Sequence, residues 1–469
     1  MQKCHLAVDI GASSGRVMAG FLAGEKLQLK EMYRFDNHIV EKNGHLCWDI
    51  DHLFHSIKEG IKQTIAQQFE PKSLAIDTWA VDFVLLDEKD QLLTDAIAYR
   101  DHRTDGMMEA VFQTIEKESL YDRTGIQFQK FNTIYQLQAL KEQRPEVLQQ
   151  AKTLLMIPDY LHFLLTGKKA NEYTNATSTQ LVNRETNNWD TELLQTLDFP
   201  ADIFQEILMP KSTLGSLKSE LAEEFGMDFD IVIPATHDTG SAVIAVPEQK
   251  DTIYLSSGTW SLIGIESSDP IATNEALEFN FTNEGGIDYR YRFLKNIMGL
   301  WMIQEVKRLM DDQYSFSDFV ELAKASADFT SVVDVNDDRF LSPENMIEEI
   351  QSYCKEKDQE VPRTPGEIAQ TIFLSLARSY REAIEQIELV TGRIFDQVNM
   401  IGGGCQNTWL NQLLANHANR TVYAGPIEAT AIGNIVVQML QTKEIASLAD
   451  ARQLINRSFD IQIFEPKGK

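Results

Sequence analysis

Cysteine is scarce and scattered: the four thiols, Cys4, Cys47, Cys354 and Cys405, show no C-x-x-C spacing. That argues against a redox pair or a thiolate zinc site, and free thiols fit a reducing compartment, the cytoplasm. Long apolar runs are missing. Nowhere do roughly 18 apolar residues follow one another, so no membrane span is expected. The apolar run near the start is short and broken by Asp9, which does not suit a secretory leader. No Gly/Ser, Pro-rich or Gln/Asn-rich tract marks a disordered region. Positive charge is short as well: 43 Lys plus Arg stand against 70 Asp plus Glu, a formal charge of −27. Such a field repels phosphate backbones and anionic bilayers, which argues against nucleic acid and membrane partners. It repels nucleoside triphosphates too. Any site for one must win locally, through backbone N–H groups, a placed arginine or a divalent cation.

What is present reads as an α/β protein. A chain of 469 residues exceeds the roughly 250–300 that one core supports, so two domains are expected. The division is placed near Pro247 to Lys250, giving 1–247 and 248–469. The chain opens as a hairpin: Leu6 to Ile10, a turn over Gly11-Ala12-Ser13-Ser14-Gly15, then Arg16 to Leu22. Leu53, Phe54, Ile57, Ile61 and Ile65 recur at helical spacing. Ser73 to Asp77 and Val81 to Leu86 read as strands, and helical patterns dominate from about Thr104 to Leu165. Ile231 to Pro234 reads as a strand and Thr239 to Val246 as a small-residue helix. A second hairpin, Thr252 to Ile265, has Ser256-Ser257-Gly258-Thr259 at its centre and resembles the first in kind, which suggests two related domains. Later, Ile368, Ile372, Leu376, Tyr380, Ile384 and Ile387 mark one face of a long helix. Val398 to Ile401 and Thr421 to Ala424 are strands, with helices around Trp409 to Leu414 and from Ala429 to Leu440.

Five segments carry candidate chemistry, each with a plainer alternative, which for Ser256 to Thr259 is an ordinary turn and for Gly402 to Gly404 a loose loop. In Asp9-Ile10-Gly11-Ala12-Ser13-Ser14-Gly15-Arg16, small residues and hydroxyls suit an anion, Arg16 adds charge, and Asp9 suits Mg²⁺; the alternative is a tight turn. Ser256 to Thr259 has the same donor-rich composition. Gly402-Gly403-Gly404, between strand and helix, lets a flat ligand lie on the backbone, although it is neither a Walker loop nor a dinucleotide fingerprint. His237-Asp238-Thr239 offers a general base in Asp238 or merely a helix N-cap; a metal site on His237 lacks a second histidine nearby. Asp77-Thr78-Trp79-Ala80-Val81-Asp82 places polar groups beside an indole, as sugar recognition requires; the alternative is a core tryptophan flanked by two surface carboxylates.

Taken in order, these segments resemble the FGGY carbohydrate kinases of the actin–Hsp70–hexokinase superfamily. Tyr99 to Arg103, Met156 to Tyr160, Leu165 to Gly167, Glu172 to Thr177, Gly125 to Phe128, Phe131 to Thr133, Thr282 to Gly286, Leu294 to Trp301 and Gly402 to Asn407 continue the match across nearly the whole chain. The resemblance implies two ribonuclease-H-like, actin-like ATPase domains flanking a catalytic cleft. The first would hold the sugar and one phosphate loop; the second would hold another phosphate loop and the adenosine. Within the family the motifs are most similar to members acting on L-rhamnulose, which implies that sugar as substrate, with ATP and Mg²⁺, in a cytoplasmic monomer or homodimer. It implies ATP contacts at Ala12, Ser13, Ser14, Gly15, Arg16, Thr259, Gln304, Gly402 and Gly403, with Asn296 near the nucleotide or the cleft. It implies sugar contacts at Thr78, Trp79, position 80, His237, Asp238 and Thr239, with Asp238 as proton acceptor and Asp9 at the metal. Position 80, where glycine is common in the family, is Ala80 here, and its methyl narrows that wall. Kinases for fuculose, xylulose or glycerol, a non-catalytic ATP-binding sensor and a metal hydrolase built on His237 and Asp238 are the alternatives.

Overall fold

A computed structural model describes residues 1–247, 252–341 and 343–467. The chain forms two compact units: Met1–Ala245 with Glu266–Phe293 and Thr430–Ser458, and Val246–Ile265 with Leu294–Ala429 and Phe459–Lys469. The sequence places the division near Pro247 to Lys250, and of these 248–250 lie outside the described residues. Neither unit is one continuous stretch. The Ala429–Gln441 helix shows why its residues group with the start of the chain: a Cβ added at Gly20 would meet Ile435 at 2.4 Å, and one at Gly433 would meet Ser241 O at 1.8 Å.

The first unit is built on a six-stranded sheet in the order Thr213–Ser216, Asp230–Val232, Phe69–Thr78, Gln2–Ile10, Ser14–Ala23, Lys26–Asp36. The Gln2–Ile10 strand is central, and from Cys4 to Ile10 every residue is buried, without the alternation of a half-exposed strand. Its one imidazole is satisfied: His5 Nδ1 lies 2.7 Å from Ser73 Oγ and Nε2 lies 3.2 Å from Glu444 Oε1. This strand runs antiparallel to Ser14–Ala23 and parallel to Phe69–Thr78, a register that sets Asp9 opposite both Arg16 and Asp77. The Ile50–Ala66 helix buries Leu53, Ile57 and Ile61, and Asp49 caps it by accepting from His52 N at 3.2 Å. The strand expected over Val81 to Leu86 starts only at Phe83, because Val81 takes a positive φ of 67°.

The second unit repeats the scheme. Ile253–Ser257 and Trp260–Ser267 form a hairpin whose first strand runs parallel to Gln397–Ile401, itself parallel to Thr421–Ala424. In the first unit, Gln2–Ile10, Phe69–Thr78 and Asp230–Val232 are the matching parallel trio. The helix Pro365–Thr391 begins with a capping box of Thr364 and Glu367, carries Pro365 in its first turn, and ends on Gly392 at φ 65°. Its face from Ile368 to Ile387 is buried as the spacing requires. Among the described residues no helix is long and apolar enough to cross a membrane.

Candidate active site

Three aspartates come from separate segments of the first unit's frame. Asp9, next to the last residue of the central strand, accepts from Arg16 Nε at 3.1 Å and Nη2 at 2.8 Å, so the guanidinium proposed for phosphate is held at the turn. Asp77, on the neighbouring strand, is fully buried. Its Oδ2 accepts from Asn434 Nδ2 at 2.5 Å, and its Oδ1 has no partner. Desolvation, then the charge of Asp9, hold Asp77 well above the ordinary carboxylate range. Asp238 opens the helix Asp238–Ile244. The N-cap is His237, without a side-chain cap bond, so the capping alternative for Asp238 does not hold. Asp238 Oδ1 accepts from Thr239 N at 2.6 Å and Thr239 Oγ1 at 3.2 Å. The side chain is 32% exposed. Its surroundings are still dense enough that desolvation raises its pKa, with His237 opposing and Asp9 adding to the rise. A partly open carboxylate of raised proton affinity suits a general base.

The Thr236-to-Asp238 loop is held from far away in sequence. Glu172 Oε2 accepts from Thr236 N at 3.0 Å, Thr236 Oγ1 at 2.7 Å and Thr174 Oγ1 at 2.6 Å. Thr174 Oγ1 in turn accepts from His237 N at 3.2 Å, and Thr78 N donates to Thr236 O at 2.9 Å. Glu172 was legible only as part of a family stretch. Its partner at Thr236 lies 64 residues on, and no local pattern announces it. Glu284 likewise appears only within the family stretch Thr282 to Gly286, and Arg292 in none; their charges converge on His237.

The Thr78-to-Asp82 loop is built differently from either alternative. Thr78 is buried with its Oγ1 on Trp79 O at 2.8 Å, and Trp79 is 6% exposed, its ring centroid 4.1 Å from that of Trp48. The indole thus supports the loop from the core side. Neither carboxylate is on the surface: Asp77 and Asp82 are both buried. Asp82 accepts from Trp48 Nε1 at 2.7 Å, Trp79 Nε1 at 2.9 Å, Gln136 Nε2 at 3.0 Å and Tyr99 N at 3.1 Å. Burial nevertheless raises it to about 6, against the pull of those donors. Asp82 N donates to Ala80 O at 2.9 Å, closing a γ-turn around Val81 at φ 67°, a strained form for a β-branched residue. Thr133 Oγ1 at 2.6 Å and Gln136 Nε2 at 3.2 Å pin the Val81 carbonyl. Ala80, at the bend, stays half-buried.

The first hairpin turn closes through Gly11 N to Ser14 O at 2.9 Å, leaving Ala12 and Ser14 half-buried and Ser13 exposed. Gly15 has a packing reason of its own: a Cβ there would meet the Phe35 ring at 2.2 Å. In the second unit, Thr259 Oγ1 lies 3.5 Å from Gln304 Oε1, at the start of the helix Trp301–Leu309. Gly404 backs onto Ser257, whose Oγ would stand 2.0 Å from an added Cβ. Gly402 has φ 82°, a conformation that favours glycine, and Gly403 faces open space. Thr259, Gln304 and the glycine turn are therefore gathered in one region, while Asn296 lies half-buried on the strand Tyr291–Met298. Among the described residues no group of three or more His, Cys, Asp or Glu forms a ready metal cage.

By family comparison, the chain is a carbohydrate kinase. The chain matches the FGGY family of carbohydrate kinases, its N-terminal domain over residues 4–245 and its C-terminal domain over residues 253–442, and it belongs to that family. Among its relatives, the rhamnulokinase of Oceanobacillus iheyensis is 60% identical over 464 residues, covering 99% of this chain and 98% of that one. The rhamnulokinase of Bacillus subtilis is 47% identical over 465 residues, covering 99% and 95%. In fold the chain is similar to a ligand-bound xylulose kinase from Lactobacillus acidophilus, with TM-score 0.80, 18% identity and coverage of 99% and 94%. A glycerol kinase from Plasmodium falciparum with ADP gives TM-score 0.77, 17% identity and the same coverage, 99% and 94%.

Proposed function

We propose that this chain transfers the γ-phosphoryl group of ATP to the primary hydroxyl of L-rhamnulose, releasing ADP and L-rhamnulose 1-phosphate. The observation that carries the reading is Asp238: a raised, partly open carboxylate at a helix start, in a chain 60% identical to a rhamnulokinase. Asp238 takes the hydroxyl proton as the oxygen attacks phosphorus and the bond to the β-phosphate breaks. Thr239 steadies the carboxylate, while His237 and the Thr78-to-Ala80 bend line the sugar, with Trp79 as support. The Ala12-to-Arg16 turn and Thr259 hold phosphates. Gln304, Gly402 and Gly403 meet the rest of the nucleotide, with Asn296 beside them. Asp9, with the unpartnered Asp77 Oδ1 beside it, would hold a hydrated Mg²⁺. When bound, that ion neutralises phosphate charge. Four buried cysteines and an ATP substrate fit the cytoplasm, for a monomer or homodimer.

The test is an ADP-release assay on the full chain with L-rhamnulose, L-fuculose, xylulose and glycerol, with and without Mg²⁺. The highest kcat/KM falls on L-rhamnulose, and turnover needs Mg²⁺. A higher value on another substrate reassigns the sugar, and ADP binding without sugar phosphorylation makes the chain a sensor.

A further inference from the structure

Two charged residues are buried behind His237 and converge on one of its nitrogens. Arg292 is 1% exposed and Glu284 5% exposed. Arg292 Nη2 lies 3.1 Å from His237 Nδ1 and 3.0 Å from Glu284 Oε2, and Arg292 Nε donates to Gly285 O at 2.9 Å. Glu284 Oε2 is also 3.2 Å from Nδ1 and competes for it, but of the two contacts only the Arg292 N–H is aligned on the ring nitrogen. Arg292 Nη1 is buried without a partner, so the fold tolerates one unsatisfied N–H to keep the guanidinium here.

A guanidinium has five donors, no acceptor, and hydrogens fixed by its own plane. The Arg292 hydrogen that points at Nδ1 can bond only a lone pair. The ring proton of neutral His237 must then sit on Nε2. That nitrogen lies 3.5 Å from Asp238 Oδ1, too far for a well-made hydrogen bond, so its N–H is open to a ligand held at Asp238.

We propose that Arg292 is a positioning residue that locks His237 in the Nε2–H tautomer, with Glu284 balancing its buried charge, so that the imidazole donates to a non-reacting oxygen of the sugar. The inference rests on the reading of Asp238 as the base and divides labour between neighbours. His237 holds an acceptor oxygen, hydroxyl or carbonyl, and has no free lone pair on the sugar side. Asp238 alone receives the proton.

The test is nitrogen NMR on the full chain labelled with ¹⁵N-histidine, at neutral pH, with the His237 signals assigned by their loss in His237→Gln. The expected pattern is a bare Nδ1 and a protonated Nε2. A protonated Nδ1, alone or together with Nε2, overturns the proposal. The tautomer itself is read in wild-type protein, and His237→Gln serves only to assign the signals. The second arm is the double variant Arg292→Met/Glu284→Gln, which removes both buried charges together. It should lose the single tautomer and raise the sugar KM about tenfold, the scale of one net hydrogen bond, with the ATP KM unchanged. A lowered Tm with unchanged sugar KM would make the pair merely structural. If Asp238→Asn keeps near-normal turnover while the tautomer is as stated, the base reading fails and the tautomer assignment stands.

Discussion

The two units share a strand scheme but furnish their sites with opposite chemistry. The first gathers ionised or ionisable groups: Asp9 against Arg16, Asp77 beside Asp9 on the next strand, Asp238 at a helix start, and Glu172, Glu284 and Arg292 around His237 and its loop. The second offers Thr259, Gln304 and the Gly402-to-Gly404 turn, hydroxyl, amide and bare backbone without a carboxylate among them. The contrast follows from the task proposed for each. Removing a proton needs a carboxylate whose affinity is tuned by burial and neighbours. Holding a polyphosphate in a chain of net charge −27 needs donors placed locally: hydroxyl, amide and bare backbone in the second unit, and Arg16 with its turn in the first.

That contrast can be broken by substitution. The largest effect belongs to Asp238→Asn, which should lower kcat by about 10²–10⁴-fold while titration calorimetry still detects sugar and ATP. Glu172→Gln sets an amide N–H against the donors of Thr236 and Thr174. Displacing the loop by a fraction of an ångström should lower kcat/KM about 10²-fold, read by steady-state kinetics beside a Tm. Gly402→Ala brings a Cβ within 3.2 Å of Ser257 O at φ 82°. It should raise the ATP KM about tenfold and leave the sugar KM alone; the reverse pattern would exchange the roles of the units. Asp82→Asn should have the smallest effect. Folded Asp82 titrates near 6 against an ordinary 3.8, so between those values the folded state holds a proton the unfolded chain has lost. Its contribution to stability therefore falls as pH rises through that window, and the variant should flatten that slope in thermal melts at stepped pH.

Much of the frame was legible because it depends on local pattern. The apolar run Leu6 to Ile10, the glycine-rich turns and the helix face from Ile368 to Ile387 announce themselves by apolar spacing and turn residues, although the strand itself begins earlier, at Gln2. Asp238 was legible as a choice between base and cap, and only the backbone at His237 decided against the cap. The supports were not legible. Glu172 meets Thr236, and Arg292 meets His237 from 55 residues away, so their roles exist only once the fold is made. Val81 read as strand because its type favours one; Thr133 and Gln136, which pin its carbonyl, override that preference. Trp79 read as a sugar wall, yet its N–H is taken by Asp82 and its ring by Trp48.

The most direct measurement is the pH profile of kcat/KM for L-rhamnulose in the wild type and in Asp238→Asn. Asp238 must be ionised to accept the proton, so wild-type activity should fall as pH drops through a limb lying above the ordinary 3.8. The residual activity of the variant should cross the same range without that limb. The same limb in both proteins, or a variant turning over at near wild-type rate, would show that the proton goes elsewhere.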